Sequence, residues 1–295
     1  MHDKARIGFV GLGSMGLPMA RNLVAAGHEV AGHDIRPTPM AALCAAGGQA
    51  AATACDAARD AGILILMVVD AAQAREVLIA QGAARALLPG GIVALMSTCL
   101  ADEVAALGRE VAATGRVLVD APVSGGVVGA EAGTLSIMAA GDADALARLG
   151  PVLEVLGART FVVGAEPGQG AVAKAVNQLL CGVHIAAAAE ALALAGKLGL
   201  DTGVMLEIVS GSAAASWMIR DRGPRMIREP GAVTSTVDIF VKDLGIVAET
   251  GRDARAPLPV AAAALQMFLA AASAGDGALD DSQVIRAYRR LMGAS

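Results

Sequence analysis

Arg6-Ile7-Gly8-Phe9-Val10 is a short apolar run that feeds directly into Gly11-Leu12-Gly13-Ser14-Met15-Gly16, and a second apolar run, Val30-Ala31-Gly32-His33, ends on Asp34. Few folds accommodate that order. A strand, a glycine-spaced turn, a helix and an acid about 20 residues on make up a βαβ unit that binds a dinucleotide. Gly11 permits the tight turn, Gly13 lets the backbone approach a pyrophosphate, and Gly16 lets the helix pack closely on the sheet. The turn from Gly11 through Leu12, Gly13, Ser14 and Met15 to Gly16 is therefore the expected cofactor contact. Asp34 would accept hydrogen bonds from the adenosine ribose and repel a 2′-phosphate, which predicts NAD over NADP. Arg36, two residues on, is the counterweight, because an arginine there could hold that phosphate.

At 295 residues the chain leaves about half its length for a second domain, with a cleft between the two as the expectation. A formal charge of −5 and scattered Lys and Arg exclude the electrostatic footprint of a nucleic-acid binder. Cys44, Cys55, Cys99 and Cys181 have no paired close spacing, so reduced thiols and a cytoplasmic location are expected. The charge-free stretch from Ala256 to Gly275 has about the length a bilayer requires. Its alanine content, Pro257 and Pro259 at its start and Gln266 inside point instead to a buried helix opened by proline. Asp3 and the glycine turn interrupt any signal-peptide pattern, so neither a membrane span nor a targeting segment is expected.

Apolar strand-like runs alternate with alanine-rich runs through the first half. Strands are predicted at Arg6–Val10, Glu29–Asp34, Ile63–Val68, Ile92–Met96 and Val117–Asp120, with two more at Thr134–Ala140 and Thr160–Val163. From Gln169 to Leu198 there is no proline and alanine dominates, which predicts one helix of about 45 Å. Beyond it only helices are predicted, near Thr202–Ser210, Ala215–Met226, Ile239–Thr250, Leu258–Ala272 and Asp281–Leu291. The expected fold is an α/β Rossmann-type doubly wound sheet, residues 1–168, followed by an all-α domain, residues 169–295, that begins with the long helix. A helix apolar on so much of its circumference cannot be covered by a small α domain, so a homodimer or homotetramer is expected.

Lys174, Asn177, Cys181 and His184 share one face of the long helix by three- and four-residue spacing. A lysine on an alanine-rich helix is ordinarily solvated, and His184 reads as an interior histidine rather than a ligand. No His, Cys or acid cluster has metal-site spacing, so no metal is expected.

The segment Gly11-Leu12-Gly13-Ser14-Met15-Gly16-Leu17-Pro18-Met19-Ala20-Arg21-Asn22-Leu23 resembles the opening signature of the β-hydroxyacid dehydrogenase family, which includes 3-hydroxyisobutyrate dehydrogenase and tartronate semialdehyde reductase. Three further motifs of that family follow in order: Asp120-Ala121-Pro122-Val123-Ser124-Gly125-Gly126 with Gly129-Ala130 and Gly133-Thr134-Leu135; Gly170 to Gln178 around Lys174; and Lys242-Asp243-Leu244. The resemblance implies a Rossmann domain joined through a long helix to a helical domain, and a small hydroxy acid as substrate. It implies Lys174 as catalytic lysine, Asn177 as the residue holding the substrate beside it, and Ser124, Gly125 and Gly126 as the grip on the substrate carboxylate. Thr98 is implied near the nicotinamide ribose, and Lys242 near cofactor and substrate. The chemistry is consistent: oxidising a secondary alcohol requires its hydroxyl proton to leave as the C–H bond breaks, and a suitably placed lysine can accept it.

Many relatives carry a proline after the strand ending at Met67 and another shortly after Ser97-Thr98, where this chain has Val68-Val69-Asp70-Ala71-Ala72-Gln73 and Cys99-Leu100-Ala101. With Ser216-Trp217-Met218 and the segment from Val237 to Ile246, these departures resemble the L-threonate dehydrogenase branch, which oxidises the 2-hydroxyl of a four-carbon sugar acid. Ser210-Gly211-Ser212, Ser216-Trp217, Arg220 and Asp238 are its candidate partners for the extra hydroxyls; an exposed interhelical turn is the other reading. The alternatives are a 3-hydroxyisobutyrate dehydrogenase, a tartronate semialdehyde reductase, or a dinucleotide-binding module without catalysis. Retention of Lys174 and Asn177 favours the enzyme.

Overall fold

Strand residues in the first half alternate between two buried faces, and this pattern builds the sheet. The computed structural model describes residues 5–228, 231 and 233–293. Nine strands form one sheet: β1 Arg6–Val10, β2 Glu29–His33, β3 Gln49–Ala50, β4 Ile63–Leu66, β5 Ile92–Leu95, β6 Val117–Asp120, β7 Val123–Ser124, β8 Leu135–Ala140 and β9 Gly157–Gly164. Their order is β3-β2-β1-β4-β5-β6-β8-β7, with β9 also paired to β8. β3 through β6 are parallel, whereas β8 runs antiparallel to β6 and β7. Ile63 and Ile65 of β4 and Ile92 and Ala94 of β5 enter one apolar core with Phe9, Met19 and Leu23. Leu64 and Leu66 of β4 and Val93 and Leu95 of β5 enter the other, with Val104 and Leu107. Burial on both faces is what a parallel sheet with helical crossovers demands.

The α-helices of this half are α1 Gly16–Ala25, α2 Pro37–Ala45, α3 Ala54–Ala58, α4 Ala71–Arg75, α5 Ala83–Ala86, α6 Ala101–Ala112, α7 Gly126–Ala132 and α8 Ala143–Leu156. The two-residue strands β3 and β7 are absent from the sequence-based expectation, because so short a run shows no period. β9 is longer than Thr160–Val163, gaining residues at both ends from its pairing with β8.

The remaining α-helices are α9 Gln169–Lys197, α10 Thr202–Ser210, α11 Trp217–Met226, α12 Val237–Asp253, α13 Pro259–Ala271 and α14 Ile285–Leu291, the last preceded by a 3-10 turn, Asp281–Val284, where a single helix from Asp281 is expected from sequence. The chain divides after Lys174 into two compact units. The core of the second unit gathers Ile185, Ala189 and Leu192 of α9, Phe240 and Leu244 of α12, Phe268 of α13 and Ile285 of α14. Phe240 and Phe268 stack with ring centroids 5.2 Å apart. The stretch from Ala256 to Gly275 holds the 13-residue α13, opened by Pro259, and a π-helical segment, Ala272–Asp276, that continues it. Among the described residues, α9 is the helix long and apolar enough to cross a membrane, and half of its most apolar window is buried inside the protein.

Candidate active site

β1 and β4 are neighbours although β2 and β3 intervene in sequence, so the strand order reverses between them and leaves a crevice at their carboxyl ends. The glycine turn lies there. Gly11 has φ +91, and a Cβ on it would fall 2.4 Å from the Met67 carbonyl oxygen, so only glycine passes the end of β4. A Cβ at Gly16 would fall 1.9 Å from the Gly11 carbonyl oxygen, which seats α1 against the turn. Gly13 is open: a Cβ there would meet only an Arg36 guanidinium nitrogen, at 3.8 Å. Leu12 is buried, whereas Ser14 is exposed and Met15 half-buried. Met15 stands at the N-cap of α1 without a side-chain cap, and no acid occupies the first turn, so the helix start offers its N–H groups to an anion.

Asp34 follows β2 and is buried. Its Oδ2 accepts the Leu12 N–H at 2.8 Å, and its Oδ1 accepts the Arg36 N–H at 2.9 Å and Arg36 Nε at 3.1 Å. Burial pushes the carboxyl up, but the Arg36 and Leu12 hydrogen bonds prevail and hold it below the usual carboxylate range. The pair fixes a negative charge at the end of β2, beside the turn. These residues fit a nicotinamide dinucleotide: a cradle open at Gly13, an uncapped helix start and an ionised acid one strand over.

Val68 N–H donates to Ser97 Oγ at 3.1 Å, tying the chain beyond β4 to that beyond β5, where Thr98 is half-buried. Ser124 pairs with Ser136 as the last residue of β7. Gly125 and Gly126, with φ of +131 and +62, then turn the chain into α7 through backbone that side-chain-bearing residues rarely adopt. The Ser124-Gly125-Gly126 segment is thus a strand-to-helix turn at half-buried depth. Lys174 is buried, 6% exposed, on α9, and is no solvated surface lysine. The first unit therefore holds Gly11–Gly16, Asp34, Thr98, Ser124–Gly126 and Lys174.

The second unit holds the other two candidates. Asn177 is half-buried, one turn beyond Lys174 along α9, and its Oδ1 accepts from Cys181 Sγ at 3.6 Å. Lys242 Nζ lies 2.8 Å from Asp243 Oδ1, and Gln178 Nε2 donates to Asp243 Oδ2. Gln178 and Asp243 are buried, and sequence reasoning gave neither a role although both lie inside family motifs. Ser216 caps α11 by accepting the Ile219 N–H, and Arg220 Nε donates to the Ser210 carbonyl. Trp217 is half exposed with the Arg222 guanidinium 5.8 Å from its ring, and Asp238 is exposed in the first turn of α12.

The family model for the NAD binding domain of 6-phosphogluconate dehydrogenase matches residues 6–164, and the model for the NAD-binding domain of NADP-dependent 3-hydroxyisobutyrate dehydrogenase matches residues 168–288. The L-threonate dehydrogenase of Cupriavidus necator is 41% identical over 96% of this chain and 95% of its own length. That of Escherichia coli K12 is 42% identical over 96% of this chain and 94% of its own. The crystal structure of a 3-hydroxyisobutyrate dehydrogenase from Salmonella typhimurium superposes with a TM-score of 0.91 at 42% identity, covering 95% of this chain and 98% of that one. The chain belongs to the 3-hydroxyisobutyrate dehydrogenase-like family of β-hydroxyacid dehydrogenases. It is an NAD(P)-binding oxidoreductase of CH–OH donors, and the Rossmann unit followed by a helical unit is the family fold.

Proposed function

We propose that this dehydrogenase oxidises L-threonate at its 2-hydroxyl to 2-oxo-tetronate, using NAD in preference to NADP. The observation that carries the reading is the near-full-length identity to the L-threonate dehydrogenases of Cupriavidus necator and Escherichia coli. Bound NAD supplies the hydride acceptor. Lys174 takes the hydroxyl proton as the C–H bond breaks, and Asn177, one turn along α9, holds the substrate beside it. Ser124 and the backbone of Gly125 and Gly126 grip the carboxylate, which fixes the reacting carbon. Thr98 serves the nicotinamide ribose, and Lys242 serves cofactor and substrate. The turn of Gly11, Leu12, Gly13, Ser14, Met15 and Gly16 holds the pyrophosphate.

The cofactor preference rests on Asp34. Its ionised carboxylate opposes a 2′-phosphate, and Arg36, which could otherwise hold that phosphate, is turned onto Asp34 itself. The assembly we infer is a homodimer or homotetramer built on α9, whose Val176, Leu180 and Leu194 stand exposed. Light scattering at micromolar concentration should give a multiple of the chain mass; a monomer mass contradicts the assembly. The four free cysteines suit a reducing cytoplasm.

Oxidation of 3-hydroxyisobutyrate is the second reading, favoured by the likeness to the 3-hydroxyisobutyrate dehydrogenase of Salmonella typhimurium. The test of the proposal is NADH formation from L-threonate, repeated with NADP under matched conditions. Turnover with a higher kcat/KM for NAD is expected. No turnover with either cofactor overturns the substrate, and a preference for NADP overturns the role of Asp34.

A further inference from the structure

Asp120, the last residue of β6, has no exposed surface. Its Oδ2 accepts the Gly168 N–H at 3.0 Å and the Ala171 N–H at 2.8 Å, and the Gly170 N–H contributes as well. These belong to the start of α9, where backbone donors have no partner within the helix. The helix start is seated as tightly as backbone permits. A Cβ at Gly170 would fall 2.7 Å from the Met138 carbonyl oxygen and 2.9 Å from both the carbonyl oxygen and Oδ2 of Asp120. A Cβ at Gly168, whose φ is +104, would fall 2.8 Å from the Ala101 carbonyl oxygen. The first turn of α9 is thus pressed onto β6, β8 and α6 around one carboxylate.

Lys174 stands three residues beyond Ala171, about 4.5 Å farther along the helix axis. Any shift of the first turn is carried to it with little loss, because a helix moves as a rigid rod over one turn. The carboxylate is also expensive. Burial pushes the Asp120 carboxyl up to about 6, against the pull of its backbone donors, so the ionised form is stabilised poorly at neutral pH. Its Oδ1 is buried with no hydrogen-bond partner among the described residues. A group chosen for stability alone would not carry these costs.

We propose that Asp120 is a positioning residue for the proton transfer assigned to Lys174: it holds the first turn of α9 against the end of β6 and so sets where Lys174 stands at the carboxyl edge of the sheet. The inference rests on the reading of Lys174 as proton acceptor. Displacing a reacting group by about 1 Å costs on the order of 10²-fold in rate. The cofactor turn and Asp34 lie on other elements, so cofactor affinity should not follow.

The experiment compares Asp120→Ala, Asp120→Asn, Gly170→Ala and Lys174→Ala, measuring kcat with L-threonate and the NAD dissociation constant in each. Asp120→Ala should lower kcat by about 10²-fold with NAD affinity within about threefold of wild type. Asp120→Asn keeps an oxygen that can accept the same N–H groups, and should recover at least about tenfold of that loss. Gly170→Ala leaves Asp120 intact but pushes the first turn off β6, and should reproduce the kcat loss even if Asp120→Ala does not fold. The proposal is overturned if Asp120→Ala and Gly170→Ala keep near-normal kcat, if both lose NAD affinity in step with kcat, or if Asp120→Asn is no better than Asp120→Ala. Lys174→Ala separates the two claims: near-normal kcat there removes the reading of Lys174 and this inference with it, whereas low kcat there beside active Asp120→Ala and Gly170→Ala overturns this inference alone.

Discussion

The two units bury their charges in opposite ways. In the first, Asp34 and Asp120 sit at the ends of parallel strands and take their hydrogen bonds chiefly from backbone N–H groups, with the Arg36 guanidinium as a charged partner of Asp34. In the second, Arg222 lies between Asp221 and Asp281, and Arg225 joins Asp221, Asp280 and Thr234 in one network. Burial pushes the Asp281 carboxyl up although Arg222 pulls the other way. The network ties α11 to the turn before α14, with Asp280 also accepting the Thr234 N–H at 3.1 Å. The network fastens α11 beside an apolar core that already includes Phe240, Leu244 and Phe268. The first unit has a sheet core on two faces and carries its buried carboxylates at the ends of the strands.

The largest effect is expected at Lys174. Lys174→Ala should lower kcat by about 10²–10⁴-fold while NAD affinity stays nearly intact; steady-state kinetics with a parallel NAD titration checks it, and near-normal kcat would remove the lysine from the chemistry. In the second unit the corresponding loss should be one of stability. Arg222→Ala leaves Asp281 buried without its partner and should cost about 3–5 kcal/mol by urea denaturation, with NAD affinity unchanged in the protein that remains folded. A cost near that of an exposed ion pair would show the network to be dispensable.

Asp120 makes the stability of the first unit depend on pH. Its folded pKa of about 6 lies above the value of 3.8 for an unperturbed carboxyl, so its contribution to stability is present in full below about pH 3.8 and is lost as pH rises through 6. Asp120→Asn cannot ionise. Relative to that variant, wild type should therefore lose on the order of 3 kcal/mol between pH 4 and about 7. A pH-independent difference would place the carboxyl at its ordinary value. The smallest effect expected is at the cofactor turn, where Gly16→Ala forces a Cβ against the Gly11 carbonyl and should weaken NAD binding by about 10–100-fold.

The sheet was largely legible because its strands are short apolar runs punctuated by glycine, and β1 and β6 begin and end where the pattern places them. α9 was legible from thirty residues without proline. The strands β3 and β7 were not, since two residues have no period and exist only through the neighbours they pair with. The same limit applies to the site. The glycine turn is local in sequence and could be read from its spacing alone. Asp120 lay inside a family motif without a role, because the donors that define it are 48 and 51 residues away. The Arg36 contact with Asp34 spans only two residues, yet its direction depends on side-chain geometry that a sequence does not encode.

Action on a four-carbon sugar acid is decided by the ratio of kcat/KM for L-threonate to that for 3-hydroxyisobutyrate under matched NAD. A site built to pair the extra hydroxyls rejects an analogue lacking them far more strongly than an apolar pocket could. A ratio of about 10² or more in favour of L-threonate is expected. A ratio below one, with 3-hydroxyisobutyrate the better substrate, would contradict it.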